Sequence, residues 1–316
     1  MLTNIEHDRV TVGLDGTDAS LAALRYAANE AGRVGAPLEL IHVMSSVVPP
    51  DARRDMPYPL TPSESKDLGS RILADGLREA AALMPESVSI SKTLLEGDRV
   101  SCLVAATVSA RRLVLGDQQH SVMDRVLTGS VAAGVSRHAN VPVIVVPEQW
   151  LARPSKGTVA VGVRDIATSR GLVRKAFETA QDHGDALLVV HAWRPNPTQW
   201  ETAGHAPDLD GQLHEVKSTV DALVRDVAGR FPKTDVEVRL VRGLAETALR
   251  HASADSDLLV LALRPGALRG HHFGRTARAL LRETYCPVEI LPPSEAVWPA
   301  EITELERNGE FLVASD

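Results

Sequence analysis

Residues 10–43 read VTVGLDGTDASLAALRYAANEAGRVGAPLELIHV, and residues 159–192 read VAVGVRDIATSRGLVRKAFETAQDHGDALLVVHA. Laid over each other without a gap, they match Gly13 to Gly162, Ser20 to Ser169, Gly35 to Gly184 and His42 to His191, each pair 149 residues apart. Further on, Gly97 aligns with Gly243 and Gly116 with Ala262, both 146 apart. VPVIVVP (141–147) aligns with CPVEILP (286–292), 145 apart, so the loop after position 116 is one residue shorter in the second copy. The period is too long for a solenoid unit and suits a duplicated domain.

Within the first copy, short apolar runs alternate with helical patterns. VTVGL (10–14) reads as a strand, and residues 20–35 carry Leu21, Leu24, Ala28 and Ala31 at the spacing of an amphipathic helix. Gly35 is placed to stop that helix. PLELIHV (37–43) is the second strand, followed by a proline-rich stretch without regular pattern. TPSE (61–64) has the form of a capping box with proline at the first helical position, opening a helix that runs through residue 84. A strand at 88–97, a helix at 99–110, a strand at 112–116, a helix from Ser130 and a strand at 142–146 complete the unit. This order predicts an α/β fold: two tandem Rossmann-like domains, each a five-stranded parallel sheet with helices on both faces. The expected domains are residues 1–148 and 157–293, joined by the polar, proline-bearing stretch 147–157, with a C-terminal tail at 294–316. Within that tail, PAEITELERNG (299–309) has the pattern of a short helix.

The 316 residues are 44% hydrophobic and 24% charged, with a net charge of −7. That balance argues against a general nucleic-acid or membrane-surface binder, which presents a basic face. Aromatic residues are only 3% of the chain, so the core must be built from Ala, Val and Leu. Cys102 and Cys286 stand in no C-x-x-C or zinc spacing and read as small core hydrophobes. No apolar run approaches the ~20 residues that span a bilayer, and the polar N-terminus lacks a secretory h-region. The expected location is the cytoplasm.

In open parallel sheets ligands bind beyond the carboxyl ends of the strands. In the first copy those ends carry DGTDAS (15–20), His42 with Val43, and LGDQQHSVMDRVLTGSV (115–131). The helix starting at Ser130 turns N–H groups and a positive dipole end toward an anion. Gly129 permits close approach, and Gly116 permits a tight turn off the fourth strand. Asp15 is placed to accept from an adenine amine or a ribose hydroxyl. The same residues also suit a plainer reading, with glycines serving turns and Ser130 capping a helix. Neither a P-loop nor a G-x-G-x-x-G fingerprint is present.

Together, VGLDGTDAS, LIHV and LGDQQHSVMDRVLTGSV followed by NVPVIVVP resemble the universal stress protein family. The resemblance covers both copies and is of the tandem-domain type common in actinobacteria. It implies an adenine-nucleotide-binding stress-response or signalling protein, not an enzyme beyond slow ATP hydrolysis, with ATP and accompanying magnesium in the first copy alone. The family's G-x-x-G, nine residues, G-[ST] loop maps onto Gly116, Gly129 and Ser130, with Leu115 and Val131 flanking; Asp15 and Val43 map onto the adenine side, and Gly13 is counted with the ATP-binding residues. Gln119 stands where the second glycine belongs and leaves open a protein that binds no nucleotide and acts through interaction alone. In the second copy Arg164, Ala192, Ala262, Pro265 and Arg275 replace the aspartate, the valine, both glycines and the serine, so a nucleotide is not expected there, although Arg264, Arg269 and Arg275 suit a small anion. His42 and His191 are expected to be structural. No metal site and no catalytic group is expected. The resemblance also implies that 142–146 and 287–291 pair within the chain as an intrachain pseudo-dimer, with a homodimer and protein partners of unknown kind left open.

Overall fold

The computed structural model describes residues 9–44, 61–117, 131–195, 209–265, 271–272 and 275–292. They fall into two compact units, the first reaching to Pro154 and also holding 271–272 and Pro287–Pro292, the second holding the remainder.

In the first unit β1 (Arg9–Gly13) leads to α1 (Asp18–Val34) and β2 (Leu38–Met44). Then follow α2 (Pro62–Leu83), β3 (Ile90–Glu96), α3 (Arg99–Ala106), β4 (Ala110–Asp117), α4 (Val131–His138) and β5 (Val143–Pro147). These five strands are parallel in the order β3-β2-β1-β4-β5. The runs of Val, Leu and Ile in β1, β2, β4 and β5 are buried because helices cover parallel sheets on both faces, while the edge strand β3 is only partly buried. The order reverses between β1 and β4, which makes the carboxyl ends of those strands the crevice of the fold.

Local chemistry sets the helix ends. Thr61 accepts from the Glu64 N–H while the Glu64 carboxylate accepts from the Thr61 N–H at 2.7 Å, which closes the expected capping box with Pro62 behind it. The Thr61 backbone and hydroxyl hold the Glu64 carboxyl below its ordinary range. Gly35 ends α1 in the left-handed conformation at φ 66°. The expected helix at 99–110 is shorter: α3 ends at Ala106, a 3-10 turn covers Thr107–Ser109, and Ala110 already belongs to β4.

The second unit repeats the scheme with β6 (Thr158–Val163), α5 (Arg170–His183), β7 (Ala186–Trp193), α6 (Leu209–Ala228), β8 (Val236–Arg242), α7 (Ala245–Ala254) and β9 (Leu258–Ala262). Its strands run parallel in the order β8-β7-β6-β9. The buried Phe177 stacks on the half-buried Phe231 at 5.1 Å between ring centroids. Asp257 fastens the start of the unit by accepting from the Ser155 hydroxyl and the Lys156 N–H at 2.9 and 2.8 Å. The chain continues through the two-residue strands β10 (Arg264–Pro265) and β11 (His271–His272) to α8 (Arg275–Glu283).

The last strand, β12 (Val288–Leu291), belongs to the first unit, where it pairs antiparallel with β5. Val288 lies opposite Val145, Glu289 opposite Ile144 and Ile290 opposite Val143. The two strands expected to meet within the chain therefore do, and β5 is not left as a free edge. Cys286, just before β12, is buried, and desolvation pushes its thiol up to about 12, as expected of a core residue. No helix among the described residues is long and apolar enough to cross a membrane.

Candidate functional site

Register brings three of the expected site residues to one end of the first sheet. Gly13 lies beside Ile41 and Val12 beside Val114, so Asp15, Val43 and Gly116 follow at the carboxyl ends of β1, β2 and β4. Asp15 is exposed on the loop between β1 and α1. Its Oδ1 accepts from the Thr17 N–H at 3.1 Å and from the Thr17 hydroxyl at 2.5 Å. Thr17 in turn caps α1 by accepting from the Ser20 N–H at 3.2 Å. The carboxylate is thereby held by one oxygen. Among the described residues, Oδ2 accepts no hydrogen bond. Gly16, at φ 83°, supplies the left-handed residue of this turn. Val43 is buried at the end of β2. Thr17 was not among the residues singled out from sequence, although an aspartate two positions before a threonine is a recognisable turn pattern.

Gly116 is needed for a reason other than the expected turn. It lies within β4, paired with Val146, and is not among the glycines at positive φ. A Cβ there would stand 2.3 Å from the Ala19 carbonyl oxygen and 2.8 Å from the Ser20 nitrogen. The missing side chain is the space into which the first turn of α1 fits. Gly13 is likewise a packing position, since a Cβ would meet the Leu115 side chain at 2.7 Å and Leu103 at 3.5 Å. Val131 is the first residue of α4 and half-buried. Leu115 is buried beneath Gly13. Gln119, Gly129 and Ser130 lie outside the described residues, as do the tail from 293 and Arg269 of the second-copy loop.

The same end of the second unit is built differently. Arg164 occupies the Asp15 position and is exposed. The turn has passed to the next residue, Asp165, whose Oδ1 accepts from the Ala167 N–H at 3.0 Å. The helix starts three residues later than in the first copy, at Arg170 against Asp18, without a side-chain cap from Ser169. The Ser169 hydroxyl donates instead to the Asp165 carbonyl. Ala262, the counterpart of Gly116, carries the Cβ that a full first turn would exclude.

Both histidines serve the scaffold. His42 Nδ1 donates to the Leu14 carbonyl at 2.7 Å and His191 Nδ1 to the Val163 carbonyl at 3.0 Å, the same bond in each copy. α2 crosses the His42 ring at Gly69, where a Cβ would stand 2.7 Å from Cδ2. Among the described residues there is no group of three or more His, Cys, Asp or Glu side chains that could hold a metal ion.

The sequence profile described as the universal stress protein family matches residues 6–147 and 157–292. A universal stress protein of Mycobacterium tuberculosis is 29% identical over 293 residues, covering 89% of this chain and 96% of its own. One from Mycolicibacterium smegmatis is 26% identical over 302 residues, covering 90% and 97%. Among solved structures, a universal stress protein from Archaeoglobus fulgidus superposes with a TM-score of 0.66 at 15% identity, covering 91% of this chain and 97% of that one.

Proposed function

The chain belongs to the universal stress protein family, and from that premise we propose that it binds an adenine nucleotide, ATP with its magnesium, in the first copy alone and acts as a stress-response or signalling protein. The observation that carries this reading is the Asp15 carboxylate, oriented by Thr17 through one oxygen with the other uncommitted, beside Val43 at the crevice end of the sheet. Asp15 and Val43 would take the adenosine end, as an acceptor and an apolar wall. Gly116, Gly129 and Ser130 would take the phosphates, with Leu115, Gln119, Val131 and Gly13 framing the site. Magnesium neutralises phosphate charge when it is bound. Arg164 and the retracted helix in the second copy support a single site. We take the domains as 1–148 and 157–293, with 294–316 as a tail, in a cytoplasmic protein to which we assign no reaction. Binding to the folded state stabilises it by mass action, about 2.7 kcal/mol at a hundredfold excess of ligand over Kd, and that linkage is the means of signalling.

Calorimetry with ATP tests the reading. Binding is expected below millimolar concentration. Asp15→Ala should weaken it by roughly 10- to 100-fold, the worth of a charged hydrogen bond of about 1.5–3 kcal/mol. Arg164→Ala should leave it unchanged. Absence of heat at millimolar ATP, with no nucleotide co-purifying, would favour the interaction protein to which Gln119 points.

A further inference from the structure

The strand that completes the first sheet carries a charge into its interior. Glu289 of β12 is 1% exposed and lies directly opposite Ile144 of β5. A buried carboxylate requires a counter-charge. Arg112 of β4, itself buried, provides it, with Nε 3.4 Å from Glu289 Oε1. The same guanidinium donates through Nη1 to the buried Glu30 carboxylate of α1. Tyr26, one turn earlier on α1, is buried within electrostatic reach of all three, and Trp150 meets its ring edge-on at 5.4 Å between centroids. One arginine thus ties together a helix and a strand of the first copy and a strand of the second.

The triad is not part of the repeat. By the offsets of 149, 146 and 145 residues, Glu30, Arg112 and Glu289 correspond to Thr179, Leu258 and Ile144, none of them charged. The opposed residues Ile144 and Glu289 are themselves counterparts. The register of β5 with β12 is therefore the one that two identical strands would adopt about a two-fold axis. Three pairings compete for the apolar edge of β5 and of β12. Two copies of β5 would set Ile144 against Ile144 and take Glu289 away from Arg112. Two copies of β12 would set Glu289 against Glu289, like charges directly opposite, with Leu258 where the guanidinium should be. Only the unlike pair closes the triad.

We propose that Glu30, Arg112 and Glu289 form a pairing lock, which makes the edge of β5 an acceptor for the chain's own last strand and discriminates against self-pairing with a second copy of the chain. Buried ionic groups that select one register or partner have this property: their advantage exists only in the arrangement that satisfies them.

Cysteine trapping in the full chain, with Cys102→Ser and Cys286→Ala as background, tests the lock. Val145→Cys with Val288→Cys places two thiols on directly opposed residues of β5 and β12. Ile144→Cys alone would stand opposite itself in a β5 self-pair. The chain is oxidised at millimolar concentration, where a tether's own advantage is matched by free chains, and read by mass spectrometry under non-reducing conditions. With Glu289 present, most of the paired-cysteine chain should close as a linked monomer, and Ile144→Cys should give little covalent dimer. With Glu289→Ile, the linked monomer should fall and the Ile144→Cys dimer should rise, each several-fold. Glu289→Gln, which keeps the shape and removes the charge, should move both yields in the same direction and is read if Glu289→Ile does not fold. Yields unchanged in a folded Glu289 variant would overturn the proposal.

Discussion

Gly13 and Gly162 lie under the same pair of leucines, Leu103 with Leu115 in the first copy and Leu249 with Leu261 in the second. Gly97 and Gly243 adopt φ 144° and 146° and donate to the Met44 and Trp193 carbonyls, both at 3.0 Å. At these positions the copies are interchangeable. They part at the carboxyl end of the sheet, where Gly116 meets a capped first turn of α1 and Ala262 accompanies a helix that starts late. They part again at Glu30, Arg112 and Glu289, whose counterparts carry no charge. What the copies kept is the packing that any such sheet requires; what they lost or gained belongs to the crevice and to strand pairing.

The largest effect should come from giving the first copy the second copy's residue at position 112. Arg112→Leu takes the shared guanidinium away from two buried carboxylates, a loss of about 3–5 kcal/mol by denaturant unfolding. Adding Glu30→Thr and Glu289→Ile, which completes the exchange, should recover most of it, because a buried triad replaced as a whole by uncharged residues is often neutral. A triple variant as unstable as the single one would break the comparison.

The same exchange in the crevice should cost less. Gly116→Ala forces the first turn of α1 to withdraw, at about 1–3 kcal/mol, and should abolish ATP binding in calorimetry. Ala262→Gly should change stability by no more than about 1 kcal/mol and leave binding as it is. At the shared positions the copies should respond alike: Gly97→Ala and Gly243→Ala each lose on the order of 1 kcal/mol or more, because both need φ above zero. The Cβ at 97 additionally meets Cys102 Sγ at 3.1 Å, so thermal scans should place it as the costlier of the two.

A smaller difference is visible on alkaline titration. Burial, and after it the Glu30 carboxylate, holds the Tyr26 phenol well above the ordinary tyrosine range. An acid whose folded pKa is raised binds more protons when folded than when unfolded above about pH 10, so its contribution to stability is intact below that pH and is lost as pH rises further. Tyr26→Phe should flatten the alkaline limb of the stability curve and leave neutral pH nearly unchanged.

Much of the fold was legible because every element was written twice. The capping box at Thr61 and the helix stop at Gly35 depend on local residue chemistry, and the pairing of the last strands follows the family resemblance. The candidate site was half legible. Asp15 and Val43 stand where strand ends placed them, yet the need for glycine at 116 was misassigned to a turn, because close approach between β4 and α1 has no local signature. Thr17 was overlooked although its spacing from Asp15 carried the signal.

The sequence by itself determined the duplication, the α/β order and which copy retains the nucleotide-type residues, since each is a matter of residue identity at fixed spacing along the chain. The tertiary structure decided the register in which the second copy's last strand completes the first copy's sheet and that three distant charged residues meet inside it. Glu30, Arg112 and Glu289 each look like an ordinary surface charge in their own segments. Their meaning arises only when folding removes water from all three at once and brings them together.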